Sequence, residues 1–122
     1  MWKEYNPNPI ANRTDDCTVR AICKALNQSW RKTYLDLCIY GLLKCAFPQA
    51  NHVWGAYLID KGFERKLVPE TDCTVADFAR THPKGTYILA ISGHVVTVCD
   101  GDIYDSWNSS DEIPVYYWEA KK

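Results

Sequence analysis

The sequence contains no CxxC pair, and none of its 3 histidines lies three to five residues from another, although 6 cysteines are present. The spacing of a structural zinc site is therefore missing, and no metal or other cofactor is expected. Basic charge is not in excess either: 14 Lys and Arg stand against 15 Asp and Glu, for a formal net charge of -1 and a pI near 6.3. Holding phosphates takes clustered cations, so nucleic acid is not the expected partner. No apolar run approaches the ~18 residues of a membrane helix, and Met1-Trp2-Lys3-Glu4-Tyr5 is not the apolar core of a signal peptide. The expected setting is the cytoplasm, away from membranes, with the cysteines reduced rather than paired. Internal repeats and low-complexity segments are lacking as well, which leaves a single domain over residues 1–122 and says nothing of oligomeric state.

What is present has globular proportions, with 47% hydrophobic, 13% aromatic and 24% charged residues. That composition suits one hydrophobic core between two layers. Residues 1–14 carry Asn6-Pro7-Asn8-Pro9, an extended or turning lead across the surface. Asp15 or Asp16 then offers an N-cap carboxylate to a helix over about 16–27, whose apolar stripe is Val19, Ile22, Cys23, Leu26 and Trp30. Ser29 caps a second helix over about 30–46, with Trp30, Tyr34, Leu37, Leu42 and Cys45 among its buried candidates, and Pro48 stops it. A third helix spans about 50–61 before Gly62, a strand covers Phe63 to Val68, and Thr74 with Asp77 forms a capping box for a short helix to Thr81.

From Thr86 the pattern becomes β-branched and aromatic. Runs at 87–91, 94–99, 103–107 and 113–118 are separated by Ser92-Gly93, Asp100-Gly101 and Asn108-Ser109-Ser110-Asp111. Helices first and strands after predict an α+β fold, N-terminal helices packed on one side of a C-terminal antiparallel sheet.

Two places in this scheme carry chemistry. Cys17 falls in the first turn of a helix, where unpartnered N–H groups and the macrodipole favour a thiolate, and it lies off the apolar stripe, facing outward or into a cleft. Asp15 and Asp16 beside it act in the opposite sense, raising the pKa of the thiol. The second place is the Asp100-Gly101 turn. A two-residue type I′ loop pairs Cys99 with Asp102 and Val98 with Ile103, which makes Asp105 the diagonal neighbour of His94 on one face. A three-residue loop would instead put Asn108 across from His94. Thiol, imidazole and carboxylate are the groups of thiol acyl transfer: the imidazole deprotonates Cys17, the thiolate attacks a carbonyl, and Asp105 orients the ring. The Cys17 N–H is one oxyanion donor, and Asn12, Asn8 or Asn6 supplies the second.

At these residues the sequence resembles the papain-like cysteine peptidase superfamily. The resemblance rests on Cys17 at a helix head, Gly93-His94 opening a late strand and Asp105 on the next. More closely, the Asn-Pro lead, Asp16-Cys17 with Arg20-Ala21-Ile22, Val53-Trp54-Gly55-Ala56-Tyr57 and Asp105-Ser106-Trp107 look like small papain-like proteins of bacteria and their phages. The resemblance implies a minimal papain-like fold with Cys17, His94 and Asp105 as a catalytic triad. It also implies a peptide or protein substrate. Where such enzymes place a glutamine six residues before the cysteine, this chain has Ala11, and Asn12 is the neighbouring amide. The implied activity is a cysteine peptidase or amidase. Two alternatives stay open: a catalytically weak binding protein that holds a host or phage partner, and an acyltransferase using the same three residues.

Overall fold

A computed structural model describes residues 1–69 and 72–121. The elements run β1 (Trp2–Glu4), α1 (Cys17–Leu26), α2 (Trp30–Lys44), α3 (Asn51–Asp60), β2 (Phe63–Leu67), α4 (Val75–Thr81), β3 (Thr86–Ile91), β4 (His94–Cys99), β5 (Asp102–Asp105) and β6 (Tyr116–Ala120). This is the α+β class expected, with the strands mostly in the C-terminal half. No helix among the described residues is long and apolar enough to cross a membrane.

Three features of the architecture differ from expectation. The sheet is mixed, because β1 lies parallel to β5 at one edge, pairing Trp2 with Ile103 and Glu4 with Asp105. The start of the lead is thus a strand, fixed by a partner far along the chain. Second, the strand order β1-β5-β4-β3-β6-β2 is not a simple meander, since β6 crosses to the far side of β3 and takes β2 on its outer edge. Third, helices cover both faces. Ile88, Val95 and Trp118 pack with residues of α1, α2 and α3, whereas their strand neighbours Leu89, Val96 and Tyr117 pack with Val75, Phe78 and Ala79 of α4. Alternation of side chains across the pleat makes two cores from one sheet, and the expectation of helices on one side missed the second.

Helix α2 is the largest departure in burial. Its core side is Thr33, Leu37 and Gly41, while Tyr34, Leu42 and Cys45, expected inside, are exposed, Leu42 at 76%. The helix carries apolar residues all round, so periodicity could not choose the buried face. Gly41 marks that face: a Cβ there would come within 2.6 Å of the Ala46 carbonyl, and this close approach lets the Ala46–Pro48 segment fold back onto α2.

The β4–β5 hairpin formed as expected. Asp100 and Gly101 have φ of 49° and 82°, as a type I′ turn requires, and Cys99 pairs with Asp102, Val98 with Ile103 and Thr97 with Tyr104. The strand ends at Asp105 rather than at 107. A β-branched residue at a positive φ is strained, so Gly101→Val is expected to cost about 1–2 kcal/mol, read as a lower midpoint in urea unfolding.

Candidate active site

The site lies where three chain ends meet: the first turn of α1, the start of β4 and the end of β5. α1 packs along β4, and Thr97 Oγ1 donates to the Ala21 carbonyl at 2.6 Å, which fixes the helix on the strand. Hydrophobic seating by Ile22 and Ala21 does the rest. Cys17, His94 and Asp105 are thereby brought together, the last two as the hairpin register demanded.

His94 Nε2 donates to Asp105 Oδ2 at 2.6 Å. The ring's other nitrogen is left for Cys17, which lines the same cleft and lies close enough for thiol and imidazole to shift each other's titration. The indole of Trp107 covers the imidazole at 4.7 Å between ring centroids. Asp105 is 1% exposed and accepts from four donors: His94, Ser109 Oγ at 2.7 Å, the Ser106 N–H at 2.7 Å and Arg20 Nη2 at 3.1 Å. Asn108, the alternative orienter, instead accepts from Ser110.

Burial opposes charge on each of these groups, and hydrogen bonding overrides it. For Cys17, burial works against the thiolate, but the bonds from His94 and from the Val95 backbone, with the charges of His94 and Arg20, bring its pKa below the ordinary thiol value. For His94, burial works against the imidazolium, and the bonds to Asp105 and Cys17 raise its pKa to about 9. Asp105 is held below the ordinary carboxylate value despite burial, chiefly by its bond to His94. All three shifts are therefore toward the charged forms, thiolate, imidazolium and carboxylate. The sign for stability follows. The share from His94 is fully present below the unfolded imidazole value of about 6.5 and is lost as pH rises through about 9. The share from Asp105 is present above the unfolded carboxylate value and is lost as pH falls through its lowered native value.

Asp16 corrects one expectation. It is the N-cap residue of α1 but makes no side-chain cap. Its carboxylate is buried against Arg20 Nη1 at 2.5 Å and Trp30 Nε1 at 2.9 Å, a cation and a donor that offset its charge, while the Cys17 thiol is brought down chiefly by His94. Arg20, Asp16, Trp30 and Ser109 are the site residues that sequence reasoning missed. The spacing of Asp16 and Arg20, four apart at a helix head, was the visible signal.

Asn12 is not brought to the site. Its N–H donates to Asn8 Oδ1 at 3.3 Å and its carbonyl accepts from Asn6 Nδ2 at 3.3 Å, so these three asparagines tie up the turn of the lead. The cleft of about 960 Å3 that opens over Cys17 and His94 is lined instead by the amides of Gln49 and Asn51, with Trp54, Trp107 and Tyr116 as aromatic walls. Asn51 Oδ1 accepts from Trp54 Nε1 at 3.1 Å, which turns its NH2 group away from that indole.

Compared with protein-family models, with curated proteins and with solved structures, the chain matches none. A lowered thiol, a raised imidazole and a buried carboxylate in series, open to a cleft, are suited to nucleophilic attack on a carbonyl and to proton delivery to the leaving group.

Proposed function

We propose that the protein is a cysteine hydrolase of papain-like type, a peptidase or amidase, with Cys17 as nucleophile, His94 as general base and acid, and Asp105 as orienter. The observation that carries the reading is the series from the Cys17 thiol through His94 to Asp105 Oδ2 at 2.6 Å, set at the floor of an open cleft. The Cys17 thiolate adds to the carbonyl carbon of a peptide or amide, and the electron pair of the C=O bond moves to oxygen. The oxyanion meets the Cys17 N–H in the first turn of α1 and an amide from Gln49 or Asn51. The His94 imidazolium gives its proton to the departing amine as the C–N bond breaks, leaving a thioester on Cys17. His94 then takes a proton from water, the hydroxide adds to the thioester, and Cys17 leaves as the thiolate with the acid product released. Trp107 over the imidazole keeps water from the His94–Asp105 bond. A thiol nucleophile suits a reducing compartment, and we place the protein in the cytoplasm.

Incubation with a panel of peptidyl esters, followed by intact-protein mass spectrometry, is expected to reveal an acyl adduct on Cys17 that Cys17→Ala lacks. Absence of any adduct and of any turnover across the panel would count against a hydrolase. Added amine nucleophiles separate hydrolysis from acyl transfer by the product formed.

A second reading, a small protein that holds a partner, is favoured by the outward side of α2. Leu35, Ile39, Leu42 and Leu43 stand there 45–77% exposed, opposite the helix's own core side. Contiguous apolar surface of that kind suits a docking face. Partner capture undiminished in Cys17→Ser, with no turnover, would favour this reading over the hydrolase.

A further inference from the structure

Arg20 and Asp16 do no chemistry in the scheme above, yet they are 5% and 6% exposed at the head of α1. A buried guanidinium must have its charge matched, and here the match is two-sided. Nη1 donates to Asp16 Oδ1 at 2.5 Å and Nη2 to Asp105 Oδ1 at 3.1 Å, while Trp30 holds the other oxygen of Asp16 at 2.9 Å. The fork geometry of arginine allows one side chain to serve both carboxylates at once.

Counting charges shows what this does at His94. Arg20 and Asp105 alone would cancel, and the imidazole would face a neutral pair. With Asp16 ionised, two carboxylates share one guanidinium, and a negative charge remains on the side of Asp105 that meets His94. We propose that Asp16 is a positioning residue of the Cys17 site, taking up part of the charge of Arg20 so that Asp105 keeps the negative charge that holds His94 as an imidazolium toward the thiolate. This rests on the reading of Cys17 and His94 as an acyl-transfer pair.

The other titratable groups around His94 do not substitute for Asp16. Cys17 and Arg20 come from α1 and Asp105 from β5. From the lead, Arg13 and Asp15 line the cleft, both exposed, with Arg13 bound to Glu4 at 3.0 Å, so water screens them. Tyr116 from β6 brings a phenol hydroxyl. Among the described residues around His94, only the Asp16–Arg20–Asp105 series is both charged and buried.

The test is NMR titration of the three histidine rings in the full chain, alongside the rate at which iodoacetamide alkylates Cys17. In Asp16→Asn, which keeps the shape and the acceptor for Trp30, the His94 midpoint is expected to fall by about one unit, and alkylation at about pH 6 to slow. Arg20→Gln removes the cation and is expected to shift the midpoint the other way. The double variant is expected to return toward the wild-type value, because Asp105 is again free of an unshared cation. A purely structural network gives a different pattern: both single variants drift the same way and the double is worse. That pattern, or an unmoved His94 midpoint in both single variants while wild-type Cys17 is reactive, overturns the proposal alone. A wild-type Cys17 no more reactive than free cysteine overturns the acyl-transfer reading, and this proposal with it.

Discussion

Replacing His94 with alanine is expected to lower acyl transfer by Cys17 roughly a thousandfold or more, whatever the acyl donor. The size follows from the number of tasks assigned to one ring. His94 supports the thiolate through its shared hydrogen bond, delivers the proton to the leaving amine and later activates water. None of these passes to a neighbour, because Asp105 faces only the Nε2 side of the ring. Without the imidazole, the two influences that favour the thiolate most through that ring are removed, while burial still opposes it. Cys17 should then titrate higher than in the wild type and alkylate more slowly near neutral pH. Rates of acyl-adduct formation in wild type and variant measure the effect, and a fall of less than about tenfold would remove His94 from the chemistry.

Asp105→Ala is expected to act on stability as much as on chemistry. The carboxylate accepts four hydrogen bonds at 1% exposure, and its loss leaves Arg20 and Ser109 facing an apolar gap. Breaking one side of a buried ion pair costs about 3–5 kcal/mol, a large part of the ~5–15 kcal/mol that holds a domain of this size. A drop in Tm of about 10 °C or more is the expected readout in calorimetry. Asp105→Asn separates the two effects. It keeps the shape and an acceptor for one neighbour, so it should remain folded, yet it gives His94 no negative charge. Activity lost in a folded Asp105→Asn is the expected outcome; full activity there would show that the charge of Asp105 is idle.

The parts of the fold written in local chemistry were legible. Asp100-Gly101 needs positive φ twice, so the turn, the register and the meeting of His94 with Asp105 followed from a dipeptide. Thr74 and Asp77 formed the capping box their spacing announced. Cys17 stands in the first turn of α1, where the apolar helical period begins. Features decided by tertiary packing were not legible. The pairing of β1 with β5 joins residues about one hundred positions apart. α2 buries the side that Gly41 lets approach Ala46, a matter of backbone clearance rather than of apolar pattern. Asp16 looked like a cap and a charge against the thiol, and only the folding of Arg20 between it and Asp105 reveals the compensation. Asn12 is near Cys17 only along the chain, while Gln49 and Asn51 reach the cleft through space.

The central claim is that Cys17 stands as a thiolate beside an imidazolium near neutral pH. The rate of alkylation of Cys17 by iodoacetamide as a function of pH, followed by peptide mapping so that the other cysteines are resolved, tests it directly. At about pH 6, below the ordinary thiol range, Cys17 should react faster than free cysteine, with a further change as His94 titrates near 9. A rate that matches free cysteine at every pH, and that His94→Ala leaves unchanged, would contradict it.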